Sequence, residues 1–138
     1  MIVLDTNVLS ELMRPEPAPV VMRWIAGYAA TSLFTTTITQ AEILYGLEIL
    51  PEGRRRRSLA TAIEAIFRED LRDRILPFDS AAARVYGPIV AARRRSGRPI
   101  SQMDAQIAAV ARSREATVAT RNVLDFEGCG VEVINPFE

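Results

Sequence analysis

The chain begins with Met1-Ile-Val-Leu-Asp5-Thr6-Asn7, in which three apolar residues lead directly to a carboxylate. A short apolar run of this kind is typical of a strand that is buried on both faces of a parallel sheet. Val8, Leu9 and Leu12 then follow at helical spacing. The stretch therefore predicts a strand over 2–4 that ends at Asp5 and passes at once into a helix over 6–13.

The same alternation of short apolar strands and amphipathic helices continues to the end of the chain. Further strands are predicted over 33–37, 75–78, 117–120 and 131–134. Further helices are predicted over 20–28, 39–50, 54–73, 79–96 and 101–114. This order indicates an α/β fold, a single domain over residues 1–138 in which helices sandwich a central, largely parallel sheet of about five strands.

The composition excludes most kinds of enzyme chemistry. All 17 basic residues are arginines, because the sequence contains neither lysine nor histidine. Histidine relays, Schiff bases and a P-loop lysine are therefore excluded. One cysteine, Cys129, cannot build a tetrahedral zinc site without histidine. Chemistry that remains compatible with this inventory uses carboxylates and a hard metal ion.

The charge balance gives no general indication of a nucleic-acid partner, since 17 acidic residues match the 17 basic ones. Only the clusters Arg54–Arg57 and Arg93–Arg98 could form local contacts. Each cluster has two interpretations, a solvated or dipole-complementing helix end and a contact for RNA phosphates. The chain has no basic leader and no apolar run of about 18 residues, so we expect a cytoplasmic protein without membrane contact.

Five polar side chains fall where the predicted strands end or where the following helices begin. Asp5 ends the first strand, Glu42 lies early in the helix after the second strand, and Asp104 lies in the first turn of a late helix. Asn122 and Asp125 follow the fourth strand. Because ligands bind beyond the carboxyl ends of parallel strands, these side chains are predicted to share one pocket.

Carboxylates that share a pocket repel one another unless a cation neutralises them. Mg²⁺ and Mn²⁺ suit an all-oxygen ligand set and can activate water for attack on a phosphodiester. Each acid also has a structural interpretation: Asp5 as a helix cap, Thr39-Gln-Ala-Glu42 and Ser101-Gln-Met-Asp104 as capping boxes, Asp125 as a turn residue. The predicted convergence of all of them at one edge favours the metal site.

Four short motifs resemble, in order, those of the PIN-domain family. They are Val3-Leu4-Asp5-Thr6-Asn7-Val8-Leu9, Thr39-Gln-Ala-Glu42-Ile-Leu-Tyr-Gly46-Leu, Met103-Asp104-Ala-Gln-Ile-Ala-Ala and Ala119-Thr120-Arg121-Asn122-Val-Leu-Asp125-Phe126. The chain also has the length of such a domain. Within the family it is similar to the VapC toxins of type II toxin–antitoxin pairs, including the FitB-like group.

The resemblance implies an endoribonuclease toxin that depends on Mg²⁺ or Mn²⁺ and hydrolyses RNA through a water molecule on the metal. It makes Asp5, Glu42 and Asp104 the catalytic and metal-binding residues. It also implies inhibition by a cognate VapB/FitA-like antitoxin, a homodimer that joins the antitoxin in a hetero-oligomer, and contact with DNA only through that antitoxin. The alternative is a non-catalytic, PIN-like dimerising subunit of such a DNA-binding complex.

The resemblance leaves the remaining side chains of the pocket open. Thr120 is expected to provide a polar contact, while Asn7 and Arg121 support the pocket or bind substrate. Some family members have an acid at the position of Asn122, whereas here the carboxylate comes three residues later, at Asp125. Whether Asn122 or Asp125 completes the site, and whether one metal ion or two bind, is undecided at this stage.

Overall fold

A computed structural model describes residues Met1–Glu138. Its five strands are β1 (Ile2–Leu4), β2 (Leu33–Thr36), β3 (Ile75–Leu76), β4 (Thr117–Ala119) and β5 (Val133–Ile134). Its six α-helices are α1 (Thr6–Leu12), α2 (Pro19–Ala26), α3 (Thr37–Glu48), α4 (Arg54–Ala65), α5 (Ser80–Arg95) and α6 (Gln102–Ser113). Shorter helical turns cover Ala30–Ser32, Ile66–Asp70 and Val123–Phe126. No helix has the length and apolar character needed to cross a membrane.

The five strands form one parallel sheet in the order β3-β2-β1-β4-β5, which confirms the predicted fold class. The first strand lies in the middle, where Val3 is opposite Phe34 of β2 and Val118 of β4. Every connection is a crossover, as parallel pairing requires. The residue after β1 is therefore placed between the carboxyl ends of two neighbouring strands.

Apolar side chains of β1 alternate between the two faces of the sheet, and each face has its own core. Val3 belongs to the core formed with α5 and α6, which includes Ile89 and Ile107. Ile2 and Leu4 belong to the core on the other face, formed with α1, α3 and α4. Helices therefore cover both faces, as the continuous apolar run of β1 predicts.

The start of α3 differs from the sequence prediction. The helix begins at Thr37, and the Thr36 hydroxyl caps it by accepting a hydrogen bond from the Thr39 N–H at 3.1 Å. Thr39 is fully buried inside the first turn instead of capping the helix. The alternative interpretation of Thr39 and Glu42 as a capping box therefore does not hold, and Glu42 lies in the second turn with its carboxylate free for other contacts.

The helix predicted over 54–73 is shorter and ends in a different geometry. The α-helix α4 stops at Ala65 and continues as a π-helical turn, in which the Leu71 N–H donates to the Ile66 carbonyl at 2.8 Å. Asp73 then adopts a positive φ of 62° and turns the chain into β3. The 3₁₀ turn Val123–Phe126 was not predicted, because a single helical turn has too few residues to show a period.

A buried glutamate closes the loop between α1 and α2. Glu11 is only 6% exposed, and its carboxylate accepts a hydrogen bond from the Ala18 N–H at 2.9 Å. Arg14 forms an ion pair with the same carboxylate at 3.1 Å. The Ala18 hydrogen bond, followed by Arg14, lowers the pKa of Glu11. The proline-rich loop therefore depends on one ionised side chain.

We expect Glu11→Ala to destabilise the fold by about 1–2 kcal/mol in urea unfolding at neutral pH, because the Ala18 N–H loses its partner. Glu11→Gln keeps an acceptor for the Ala18 N–H but has no charge. Comparison of this variant with the wild type therefore gives the contribution of the Glu11 charge to the free energy of unfolding. A lowered pKa means that this contribution is complete above the ordinary pKa of 4.5 and is lost as the pH falls below it. The stability difference between wild type and Glu11→Gln should therefore shrink from pH 6 to pH 3; a constant difference would contradict the assignment.

Candidate active site

The predicted site residues all lie beyond the carboxyl ends of the central strands. Asp5 follows β1 and caps α1, whereas Glu42 and Asp104 are provided by the early turns of α3 and α6. Asn122 and Asp125 lie after β4, at the start of and within the 3₁₀ turn Val123–Phe126. Residues that are far apart in sequence are thus brought to one edge of the sheet.

Asp5 is the most deeply buried acid of the group, with 4% of its surface exposed. Its Oδ1 accepts a hydrogen bond from the Thr6 N–H at 2.8 Å. Its Oδ2 accepts from the Thr120 hydroxyl at 2.8 Å and from the Asn7 amide at 3.2 Å. Burial is the main reason that the pKa of Asp5 is raised, and the charge of Asp125 adds to it, while the three hydrogen bonds oppose the rise. The carboxylate is fixed in orientation, and Oδ1 keeps acceptor capacity.

Asn7 and Thr120 join the end of β4 to the start of α1. The Asn7 Nδ2 group lies 3.2 Å from both the Asp5 carboxylate and the Thr120 hydroxyl oxygen, across 113 residues of sequence in the second case. Thr120 is fully buried, and its hydroxyl oxygen also accepts a hydrogen bond from the Asn122 N–H at 3.0 Å. The two side chains therefore act on the Asp5 carboxylate directly.

Arg121 contributes to this region through its backbone more than through its side chain. Its N–H donates a hydrogen bond to the Asn7 Oδ1 atom at 3.0 Å. Its guanidinium group lies over the Phe137 ring, 3.8 Å from the ring centroid, in a cation–π contact. The backbone of Arg121 thus orients Asn7, which in turn contacts Asp5.

Glu42 is half-buried and is held by α1. Its Oε1 accepts a hydrogen bond from the Thr6 hydroxyl at 3.1 Å, and that hydroxyl lies 3.1 Å from the Thr39 hydroxyl. Burial raises the pKa of Glu42, with further contributions from the charges of Asp5 and Asp104, while the Thr6 bond opposes the rise. Sequence reasoning missed the role of Thr6, although its position beside Asp5 in the first motif was a visible signal.

Asp104 is half-buried on the opposite side of the site. The Ser101 hydroxyl accepts a hydrogen bond from the Asp104 N–H at 3.1 Å, as predicted for a helix cap. Burial raises the pKa of the Asp104 carboxyl, and the charges of Asp5 and Asp125 raise it further, whereas Ser101 and the Arg93 guanidinium oppose the rise. The three acids Asp5, Glu42 and Asp104 therefore act on one another electrostatically.

Asn122 and Asp125 are both exposed, but their contacts differ. The charge of Asp125 acts on Asp5 and on Asp104, raising the pKa of each. The Asn122 side chain makes no cap hydrogen bond, and its backbone carbonyl accepts from the Asp125 N–H at 3.0 Å. Of the two residues only Asp125 therefore adds negative charge to the site, while Asn122 begins the turn that carries it.

The donor chemistry of the site fits a divalent cation. No group of three or more acidic, histidine or cysteine side chains is packed closely enough to enclose an ion with protein ligands alone. However, none of Asp5, Glu42 and Asp104 is paired with an arginine. Mg²⁺ commonly binds one or two carboxylates and keeps several waters, so oxygen donors at this wider spacing suit it.

The two arginine clusters have different environments. Arg93 is 6% exposed and donates to the carbonyl oxygens of Arg98, Asp125 and Glu127, so it is not available to an external phosphate. Arg98 forms an ion pair with Glu127 at 3.1 Å. The contacts of Arg93 and Arg98 therefore support a structural role over binding of RNA phosphates.

Arg54 and Arg55 are exposed, and they line a groove of about 800 Å³ together with Arg14. The same groove is bordered by Thr6 and Glu42, so it reaches the acidic site. Its lining also includes apolar side chains, among them Met13 directly after α1, Ile43 of α3 and Leu59 of α4. The sequence did not predict this groove, because it depends on the packing of three helices.

Comparison with known proteins supports the motif resemblance. The model of the PIN-domain family matches residues 2–124. The chain is 41% identical over 138 residues to the VapC ribonuclease Y4jK of Sinorhizobium fredii, covering 100% of this chain and 99% of the relative. It is 36% identical over 137 residues to the toxin FitB of Neisseria gonorrhoeae, covering 99% of each.

The fold gives the same relationship. A solved structure of FitAB bound to an IR36 DNA fragment contains a chain that matches with a TM-score of 0.93 and 36% identity. The match covers 100% of this chain and 96% of that one. This chain therefore belongs to the PIN-domain family and, within it, to the VapC and FitB toxins.

Proposed function

We propose that this toxin is an endoribonuclease that hydrolyses RNA phosphodiesters with Mg²⁺ or Mn²⁺ at the acidic site. The observation that carries the proposal is the convergence of Asp5, Glu42 and Asp104, three acids without an arginine partner whose pKa values are raised by burial and by neighbouring acids. Such a set is costly for the protein alone and becomes favourable when a cation is present. The ribonuclease name of a relative at 41% identity supports the reaction.

Asp5 and Asp104 would bind the ion directly, and Glu42 would act as a further ligand or position its water, with Asp125 or Asn122 nearby. A bound divalent cation lowers the pKa of water and offsets negative charge that develops on a phosphodiester. The contribution of the chain is orientation, since Thr6 holds both Asp5 and Glu42 through its N–H and its hydroxyl. Asp5 and Glu42 are thereby kept in a fixed relation before any substrate binds.

We further propose that a cognate VapB/FitA-like antitoxin inhibits the chain, in a hetero-oligomer that contains a homodimer of the toxin. The FitB-containing structure with the same fold is a complex, FitAB, on DNA, so contact with DNA through the antitoxin is expected here too. The groove lined by Arg14, Arg54 and Arg55 adjoins Glu42, and an antitoxin segment seated there would block RNA from the acidic site.

Antitoxin-free protein should cleave fluorescent single-stranded RNA with Mg²⁺ or Mn²⁺ and should stop when EDTA is added. Asp5→Asn and Asp104→Asn should each lower the rate by about a hundredfold or more, because charge stabilisation by a metal ion is worth several kcal/mol. Glu64→Gln changes an exposed acid of α4 that pairs with Arg68 of the following turn, and this variant should cleave RNA like the wild type.

Failure of the wild type to cleave RNA with either ion would overturn the enzymatic proposal. In that case the chain would serve as a non-catalytic dimerising subunit of the DNA-binding complex. If Asp104→Asn and Glu64→Gln cleaved RNA equally well, the chain would still be a nuclease, but the assignment of Asp104 to its active site would be wrong.

Thermal unfolding measures metal binding to the acidic site without any assay of RNA cleavage. Without divalent ions, Asp104→Asn should raise Tm by about 2–5 °C, because it removes one of the mutually repelling, partly buried carboxylates. Addition of Mn²⁺ should raise Tm of the wild type through binding to the folded state, and should raise it much less in Asp104→Asn. Glu64→Gln should respond to Mn²⁺ as the wild type does. If Mn²⁺ raises the Tm of Asp104→Asn as much as that of the wild type, or more, the proposed site is contradicted.

A further inference from the structure

Arg93 is a buried cation without a carboxylate partner. It lies near the end of α5, is 6% exposed, and takes part in no ion pair. A buried charge normally needs both pairing and hydrogen bonds. The guanidinium is instead compensated by hydrogen bonds to three backbone carbonyl oxygens.

The contacts of Arg93 converge on the segment 125–129. Its Nη1 donates to the carbonyl oxygens of Asp125 at 2.8 Å and Glu127 at 2.9 Å, and lies 3.8 Å from the Cys129 sulfur. Its Nε donates to the Arg98 carbonyl at 2.6 Å, which fixes the guanidinium plane from the other side. One side chain on α5 thus supplies two hydrogen bonds to the backbone of the loop after β4, and Arg98 adds contacts with the Leu124 carbonyl and the Glu127 carboxylate.

This segment otherwise has little regular structure to fix it. Its helical part is the single 3₁₀ turn Val123–Phe126, and Gly128 follows with a positive φ of 77°. Phe126 and Cys129 are buried, but the carboxylate of Asp125 between β4 and these anchors is exposed. Removal of the Arg93 contacts would therefore loosen the backbone at Asp125, the residue whose charge acts on Asp5 and Asp104.

We propose that Arg93 is a positioning residue for the acidic site, which fixes the backbone that carries Asp125 by binding the carbonyls of Asp125 and Glu127. The inference rests on the proposed function, since it assigns Asp125 a part in binding the divalent cation. Arginine suits this position because its planar fork can meet several carbonyl oxygens at once, which a lysine ammonium cannot do in the same geometry.

The test is an equilibrium titration of the full chain with Mn²⁺, in which the EPR signal of free Mn²⁺ gives the dissociation constant without any RNA. Arg93→Lys keeps the charge and loses the fork, and it should weaken binding by about tenfold, as loss of a supporting partner of a metal ligand does. Asp125→Asn should weaken binding by a similar factor. The double variant should bind no more weakly than the weaker single variant, because both changes act through the same carboxylate.

Ile63→Val is the control, because Ile63 of α4 is 3% exposed and belongs to the core on the other face of the sheet, away from the core that contains Phe126 and Cys129. It should lower stability and leave Mn²⁺ affinity unchanged. If Arg93→Lys does not fold, Phe126→Leu loosens the same segment through its other anchor and should weaken Mn²⁺ binding, again without further loss when combined with Asp125→Asn.

Wild-type affinity in Arg93→Lys would overturn the inference, as would effects of Arg93→Lys and Asp125→Asn that multiply in the double variant. Wild-type affinity in Phe126→Leu would do the same where Arg93→Lys does not fold. Each of these outcomes leaves the proposed function intact when the wild type binds Mn²⁺ and cleaves RNA. Absence of Mn²⁺ binding by the wild type would instead defeat the proposed function, and the role of Arg93 with it.

Discussion

The structure depends on one buried carboxylate at the end of the central strand. Asp5 lies where β1 stops, and its N–H is tied to the Ala119 carbonyl of β4 at 2.9 Å. Burial of a carboxylate is costly unless hydrogen bonds compensate for lost water. Three donors, from Thr6, Asn7 and Thr120, supply that compensation. The register between β1 and β4 therefore fixes the position of the Asp5 carboxylate, around which the other side chains of the site lie.

Hydrogen bonds stabilise Asp5 only in part, since its pKa remains raised, and Glu42 and Asp104 share this condition. The protein thus stores electrostatic repulsion at the edge of its sheet. A formal net charge of zero conceals this imbalance, because Arg54, Arg55 and other basic residues lie outside the group of acids. A local surplus of negative charge within a neutral chain would attract a small cation.

Periodicity and strand ends predicted the order of elements, the parallel sheet and the edge at which Asp5, Glu42 and Asp104 lie. These features depend on local patterns or on topology, which a sequence displays directly. The contacts of Thr6 with Glu42 and of Arg93 with the loop after β4 could not be predicted in this way, since they join residues 36 and 32–34 positions apart. The start of α3 was misplaced because Thr36, Thr37 and Thr39 are all acceptable caps by residue type, and only the backbone conformation selects Thr36.

In a chain without lysine or histidine, arginine at position 93 can be compared with the two basic residues that are not used. A lysine in this buried position would be prone to lose its charge, because desolvation lowers the pKa of an ammonium group. A histidine would change its charge near neutral pH. The arginine side chain instead presents a planar set of N–H donors, which here reach the carbonyl oxygens of Arg98, Asp125 and Glu127. Arg93 therefore acts through the geometry of its hydrogen bonds, and the groups at the site whose pKa values the fold shifts are the carboxylates Asp5, Glu42 and Asp104.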